Sequence, residues 1–181
     1  MKTVFLSHRH EDRSDANWLA EELERRMRAM GAEIDVFSTS VPAYRFDDFA
    51  PAADDVWSQA YHAWVEELRA YLRGHLERAA AYMLLLTRRS ATSESAWVRW
   101  EIQLGTQLAS ERSVPFFPCL LGVGYEALVS DAARNASEWQ KWEVGINDDH
   151  SHPETQFQAV SLDAPDGLLR LSERLLISRR P

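Results

Sequence analysis

The stretch "AYMLLLT", residues 81–87, decides the fold class of this chain. It is a nearly continuous apolar run, without the alternation of polar and apolar residues that marks a strand with one face in water. Such a run is typical of a strand in the middle of a parallel sheet, where helices cover both faces. The sequence on either side should then alternate between strands and helices.

Strands and helices do alternate on both sides of this stretch. Apolar residues recur at helical spacing between the candidate caps Asp12 and Ser14 and a glycine, Gly31, placed where a helix would end. The other predicted helices span residues 56–79, 95–109 and 165–178, and the predicted strands span residues 3–7, 33–39, 81–87, 114–121 and 157–162. This order predicts an α/β fold with a central, mainly parallel, five-stranded sheet flanked by helices.

The composition predicts one folded domain over residues 1–181. The chain is 45% hydrophobic and 27% charged, and its formal net charge of −8 argues against a general nucleic-acid binder. A single cysteine, Cys119, excludes an internal disulfide and fits a reducing compartment. No apolar stretch has the length of a signal peptide core or of a membrane span. We therefore expect a cytoplasmic protein that binds neither nucleic acid nor a membrane.

Ligands of parallel α/β sheets bind beyond the carboxyl ends of the strands, near the point where the strand order switches. This rule selects residues 7–10, 38–44 and 87–95. The next helix begins with "SAWVRWEIQL", residues 95–104, in which Glu101 shares the apolar side with Trp97. From the helix alone, Glu101 is interpreted as a partly exposed residue paired with an arginine, because a carboxylate is rarely buried without a partner.

Three motifs, in order along the chain, resemble TIR (Toll/interleukin-1 receptor) domains, particularly bacterial ones. "VFLSHRHED", residues 4–12, resembles the first box of the family, while "EIDVFST", residues 33–39, and the loop at 40–55 resemble its second strand and BB loop. Residues 81–104 resemble its third strand and next helix, where a glutamate follows a tryptophan by four residues. The resemblance implies a flavodoxin-like fold. It covers residues 2–121, with residues 122–154 interpreted as a variable insertion and residues 155–181 as the last strand and helix.

The resemblance also implies an activity, because many TIR domains of this kind cleave NAD at the bond between nicotinamide and ribose. Through the Trp-x-x-x-Glu match, the family's catalytic glutamate corresponds to Glu101. The chemistry requires little else: nicotinamide leaves as a neutral molecule, so no general acid is needed, and one carboxylate can stabilise the ribosyl cation. Burial beside Trp97 should raise the pKa of Glu101. NAD is thus the implied substrate, with no cofactor and no metal.

Several residues near the selected strand ends are candidates for binding NAD, and each has a structural alternative. Arginines suit a diphosphate, although Arg88 and Arg89 are adjacent and point in different directions. Serines suit ribose hydroxyls or helix caps, and aromatic rings stack on a base or pack within the domain. The predicted substrate-binding residues are Ser7, His8, Arg9, Ser38, Tyr44, Arg88, Ser90 and Trp97.

Other chemistries have weaker support in the sequence. The two His-x-His pairs, His8/His10 and His150/His152, lack the third and fourth ligands of a zinc site at any suitable spacing. The serine, histidine and aspartate of the first motif lie too close together for a hydrolase triad, and there is no G-x-S-x-G elbow. Cys119 lies in an apolar run and is interpreted as an unreactive core thiol.

Two classes of function remain open from the sequence. The first is an NAD-consuming enzyme, resembling the TIR component of Thoeris-type anti-phage defence, whose product would be sensed by a separate effector. The second is a non-catalytic module that assembles through the BB loop, or a secreted virulence TIR protein that acts on host signalling. Either class is expected to form homo-oligomers through TIR–TIR contacts. The sequence does not specify whether the enzymatic product would be linear, cyclic or conjugated.

Overall fold

The computed structural model describes residues 1–38, 59–89, 96–112, 114–124 and 159–177. The predicted BB loop, most of the predicted insertion and the candidate residues Tyr44 and Ser90 lie outside these ranges. The backbone of Trp97 is described as part of a helix, whereas its side chain is not.

A five-stranded, all-parallel sheet forms the centre of the described structure. Its strands are β1 (Lys2–Ser7), β2 (Ile34–Phe37), β3 (Ala81–Thr87), β4 (Phe116–Leu121) and β5 (Val160–Ser161). They are arranged in the order β2-β1-β3-β4-β5, which is the flavodoxin-like order with its switch point between β1 and β3. The prediction of an α/β fold is confirmed, and the apolar stretch that suggested it is the central strand.

Four helices of the described ranges cover the sheet: α1 (Arg13–Ala29), α2 (Gln59–Arg78), α3 (Ala96–Arg112) and α4 (Gly167–Ile177). A short 3-10 helix, His10–Asp12, precedes α1. Helices α1 and α4 contribute to the apolar cluster on one face, and α2 and α3 contribute to the cluster on the other. None of the helices within these ranges is long and apolar enough to cross a membrane.

The predicted end of α1 at Gly31 is confirmed, and its geometry has a clear cause. Gly31 has a φ of 71°, a left-handed conformation that glycine adopts without steric cost. The Ala32 amide donates to the Met27 carbonyl at 2.8 Å, and the Gly31 amide donates to the Arg28 carbonyl at 3.0 Å. These two bonds satisfy carbonyls that the end of the helix would otherwise leave unpaired.

The fifth predicted strand, residues 157–162, is described from residue 159 onward. Within these described residues, Val160 and Ser161 pair with β4 opposite Cys119 and Leu120. β5 lies at one edge of the described sheet. Cys119 is fully buried in the core, as predicted, and burial raises the pKa of its thiol to about 12.

Successive residues of β1 face opposite sides of the sheet, and this alternation decides which side chains face which pair of helices. Val4 and Leu6 belong to the cluster that contains α1 and α4. Phe5 belongs to the cluster that contains α2 and α3, together with Tyr82 of β3. Ser7, the last residue of β1, continues the Phe5 side and therefore faces α3.

Candidate functional site

Glu101 of α3 lies against the carboxyl end of β1. Its side chain is buried, with 6% of its surface exposed, and Ser7 Oγ donates a hydrogen bond to its Oε2. Within the described residues no lysine or arginine pairs with Glu101, so a serine hydroxyl takes the place that the helix-only interpretation gave to an arginine. This carboxyl group therefore has little solvation and, among the described residues, accepts a hydrogen bond from Ser7.

The electrostatic consequence is a raised pKa for Glu101. Burial raises it from 4.5 to about 7, because the ionised form loses its hydration, and the hydrogen bond from Ser7 opposes part of this effect. The carboxyl group is therefore divided between its neutral and ionised forms near neutral pH. Strongly perturbed carboxylates of this kind are concentrated at functional sites, where a group must change its charge or meet a charged intermediate.

Tyr82 of β3 packs beneath this pair of residues. Its ring stacks on Phe116 with centroids 4.8 Å apart and contacts Phe5 with centroids 5.8 Å apart. Its other side lies against the backbone of α3 at Gly105, one turn after Glu101, where a Cβ would come within 2.5 Å of the tyrosine Cε1. Gly105 thus allows α3 to approach the sheet closely, and this approach sets the position of Glu101 relative to Ser7.

We expect Gly105→Ala to destabilise the protein by about 1–3 kcal/mol, because the new methyl group would clash with the packed ring of Tyr82. Gly74→Ala in α2 is the matched control: its Cβ would lie 3.6 Å from Arg78 Nη1, an ordinary contact. With no clash, that replacement should stabilise the protein by roughly 0.5–1 kcal/mol. Urea unfolding of both variants measures the difference, and changes of the same sign would contradict the close approach.

A second polar cluster lies on the opposite face of the same sheet edge. Thr87, at the end of β3, donates to Asp12 Oδ1 at 2.9 Å, and Ser38 Oγ lies 3.3 Å from His8 Nδ1. Asp12 is fully buried, and burial raises its pKa against the effect of the Thr87 hydrogen bond. Asp12 precedes α1 as predicted, but its side chain makes no capping hydrogen bond and instead ties the start of α1 to β3.

The candidate arginines are engaged with backbone carbonyls at this edge. Arg9 Nη1 donates to the Arg89 carbonyl at 3.0 Å, and Arg89 Nη1 donates to the Glu11 carbonyl at 2.8 Å. Arg88 Nε donates to the carbonyl of Gly122, just after β4, at 2.9 Å. These bonds connect the segments that follow three strands. A role for Arg9 and Arg88 in binding a diphosphate stays a prediction.

The structure brings together part of the predicted set. Ser7 contacts Glu101 on one face, and His8 contacts Ser38 on the other. Sequence reasoning missed Tyr82, which it counted only as part of an apolar run. Its signal was the hydroxyl itself, because a buried tyrosine in a central strand needs a polar partner for its ring oxygen.

Comparison with known proteins adds a family match. A model of the TIR domain family matches residues 4–148, a span that includes Ser7, Tyr82 and Glu101. No curated protein gives a significant match. Among solved structures, the chain is similar to the TIR domains of an activated Roq1 resistosome that directly recognizes the pathogen effector XopQ. The identity is 14%, the TM-score is 0.44, and the alignment covers 98% of this chain and 83% of that chain.

Proposed function

This chain belongs to the TIR domain family, and from that membership we propose that it cleaves NAD at the bond between nicotinamide and ribose. Glu101 is the proposed catalytic residue. The observation that carries the proposal is a buried carboxyl group at the ligand-binding edge of the sheet, held by Ser7 and with a pKa of about 7. A residue that served only to fill the apolar side of α3 would not need a charge there.

In the proposed reaction the bond between the ribose C1′ and the nicotinamide nitrogen breaks, and nicotinamide leaves with the electron pair. Because that pair neutralises the pyridinium charge, the leaving group needs no proton. The positive charge that develops on the ribosyl ring is stabilised by the Glu101 carboxylate. Ser7 engages Oε2, so Oε1 is the oxygen assigned to the ribose. Water or a hydroxyl group then adds to C1′ and releases a proton.

Nicotinamide release should therefore rise with pH, because only ionised Glu101 carries the charge that this mechanism needs. With a pKa of about 7, the carboxylate fraction is small at pH 5.5 and nearly complete at pH 8.5. Initial rates at subsaturating NAD, with and without candidate activators, measure this profile, and the expected midpoint lies near pH 7. A rate that stays constant or falls over this range, under conditions where the protein remains folded, would count against Glu101 as the ionised catalytic group.

We further propose that the protein acts in bacterial anti-phage defence of the Thoeris type, where its product would activate a separate effector. Homo-oligomers that form through TIR–TIR contacts are part of this proposal, whose support is family membership. Mass spectrometry of the reaction products distinguishes ADP-ribose from cyclic or conjugated forms. If Glu101→Ala leaves sedimentation and partner binding intact and wild type releases no nicotinamide in any condition, the non-catalytic assembly role replaces the enzymatic one.

A further inference from the structure

The hydroxyl group of Tyr82 is buried without a hydrogen-bond partner in the described part of the chain. Tyr82 is 2% exposed and belongs to the central strand. Its oxygen makes no hydrogen bond there, although buried polar groups in folded proteins nearly always have a partner. The ring is held between Phe5, Phe116 and Gly105, so the hydroxyl group cannot turn toward solvent.

Among the described residues, the polar side chains on the Tyr82 side of the neighbouring elements include those of the proposed catalytic pair. Ser7 and Tyr82 lie on adjacent strands, and both face α3, where Glu101 lies. Burial and Glu101 raise the pKa of Tyr82 well above its usual range, and the Ser7 hydroxyl opposes part of this effect. In the register of β1 and β3, Phe5 lies opposite Tyr82, and Ser7 lies two residues further along β1 on the same face of the sheet.

With Glu101 ionised, the donors and acceptors of these three groups permit one arrangement. A serine hydroxyl has one hydrogen and two acceptor lone pairs, and Ser7 gives its hydrogen to Glu101 Oε2. Ser7 Oγ can then only accept from a further neighbour. The phenol of Tyr82 has a hydrogen to donate and no other partner among the described residues. A chain from Tyr82 to Ser7 to Glu101 satisfies every hydrogen.

We propose that Tyr82 is a positioning residue for Glu101, whose hydroxyl donates to Ser7 Oγ and so holds Ser7 as the donor to the carboxylate. Ser7 then gives its hydrogen to Glu101 and accepts one from Tyr82. The serine hydroxyl therefore cannot rotate to donate elsewhere, and the carboxylate keeps one orientation. Hydrogen bonds in such a chain strengthen one another in a low-dielectric interior. Its effect on NAD cleavage rests on the proposed function, whereas the hydrogen-bond chain itself does not.

The test is Tyr82→Phe, which removes the hydroxyl and keeps the ring. Carbon NMR of side-chain-labelled glutamate, assigned with Glu101→Gln, measures the Glu101 pKa without any enzymatic activity. Loss of the hydrogen bond from Tyr82 to Ser7 should raise the pKa of Glu101 by about 0.5 or more, since the carboxylate loses indirect stabilisation. In a Ser7→Ala background the same replacement should change nothing further, because the connection is already broken. The low-pH limb of kcat/KM for NAD should move upward with the Glu101 pKa, and KM should change less than about twofold.

Tyr71→Phe is the matched control, because Tyr71 lies in α2, where its ring packs against Phe37 at the end of β2. It makes the same chemical change and should leave the Glu101 titration as in wild type. Equal Glu101 pKa values in wild type, Tyr82→Phe and Tyr71→Phe would overturn the proposal. Absence of NAD cleavage by wild type would instead overturn the proposed function. The NMR titration would still test the hydrogen bonds from Tyr82 to Ser7 to Glu101, because it does not depend on activity.

A second measurement avoids any dependence on the folding of Tyr82→Phe. Tyrosine labelled at Cζ and placed at position 82 alone reports on its own hydroxyl group. If Tyr82 donates to Ser7, Ser7→Ala should change the Cζ chemical shift and its titration. A Cζ signal that is identical in wild type and Ser7→Ala would refute the contact.

Discussion

Glu101→Gln is expected to lower the rate of nicotinamide release from NAD by about 100-fold or more, while the protein stays folded. Glutamine has nearly the same shape as glutamate and can accept the hydrogen bond from Ser7. It has no negative charge, so it cannot oppose the positive charge that develops on the ribose in the transition state. Removal of one preorganised electrostatic partner typically lowers kcat by about 100- to 1,000-fold. Initial rates of nicotinamide release, followed by chromatography at saturating NAD, measure the effect.

Glu111→Gln is the control for this prediction. Glu111 lies on the same helix as Glu101, is exposed, and accepts a hydrogen bond from Gln107 at 2.8 Å. Its replacement removes the same charge from α3 without touching the sheet edge. Comparable rates for Glu101→Gln and Glu111→Gln would show that the charge of α3 as a whole, or no glutamate at all, governs the reaction.

The same Glu101→Gln replacement is expected to stabilise the folded protein by about 3 kcal/mol at pH 8. Glu101 has a pKa of about 7 in the folded protein, against 4.5 for an ordinary glutamate. The folded state therefore holds this proton more tightly than the unfolded chain does. As the pH rises from about 4.5 to about 7, folding loses stability because the buried group must ionise, and above that range the full cost is present. Glutamine remains neutral and avoids it.

Urea unfolding of wild type and Glu101→Gln between pH 4.5 and pH 8.5 tests the sign and the range. The stability difference should be near zero at pH 4.5, where both side chains are neutral, and should grow until about pH 7.5. Glu111→Gln, which replaces an exposed carboxyl group on the same helix, is measured alongside as the control. A difference that is constant across this range, or a wild type that is more stable than Glu101→Gln at pH 8, would contradict a buried carboxyl group with a raised pKa.

Together the two predictions describe one residue that favours activity and opposes stability. Such opposition is common where function needs a charged group in a poorly solvated position. It separates the proposed function from the simpler interpretation of Glu101 as part of a helix surface, because a surface glutamate would change neither quantity by this amount.

The sequence by itself determined the strands, the helices and their alternation, and through them the fold class. A continuous apolar run at residues 81–87 indicated a strand buried on both faces, and Gly31 marked the end of α1. These features are local, because burial pattern and backbone conformation depend on residues a few positions apart. The sequence also indicated the sheet edge that carries the candidate site, since the rule for parallel sheets needs only strand ends and their order.

Only the tertiary structure decided which side chains meet at that edge. Ser7 and Glu101 are separated by 94 residues, and Thr87 and Asp12 by 75, yet each pair shares a hydrogen bond. The Ser7–Glu101 contact depends on the register of the strands and on the close approach of α3 to the ring of Tyr82 at Gly105. Local periodicity carries no information about either quantity, because a one-residue change in register reverses the face of every side chain in a strand. The sequence could therefore nominate Glu101, while its partner, its burial and its raised pKa follow from the packing of the folded chain.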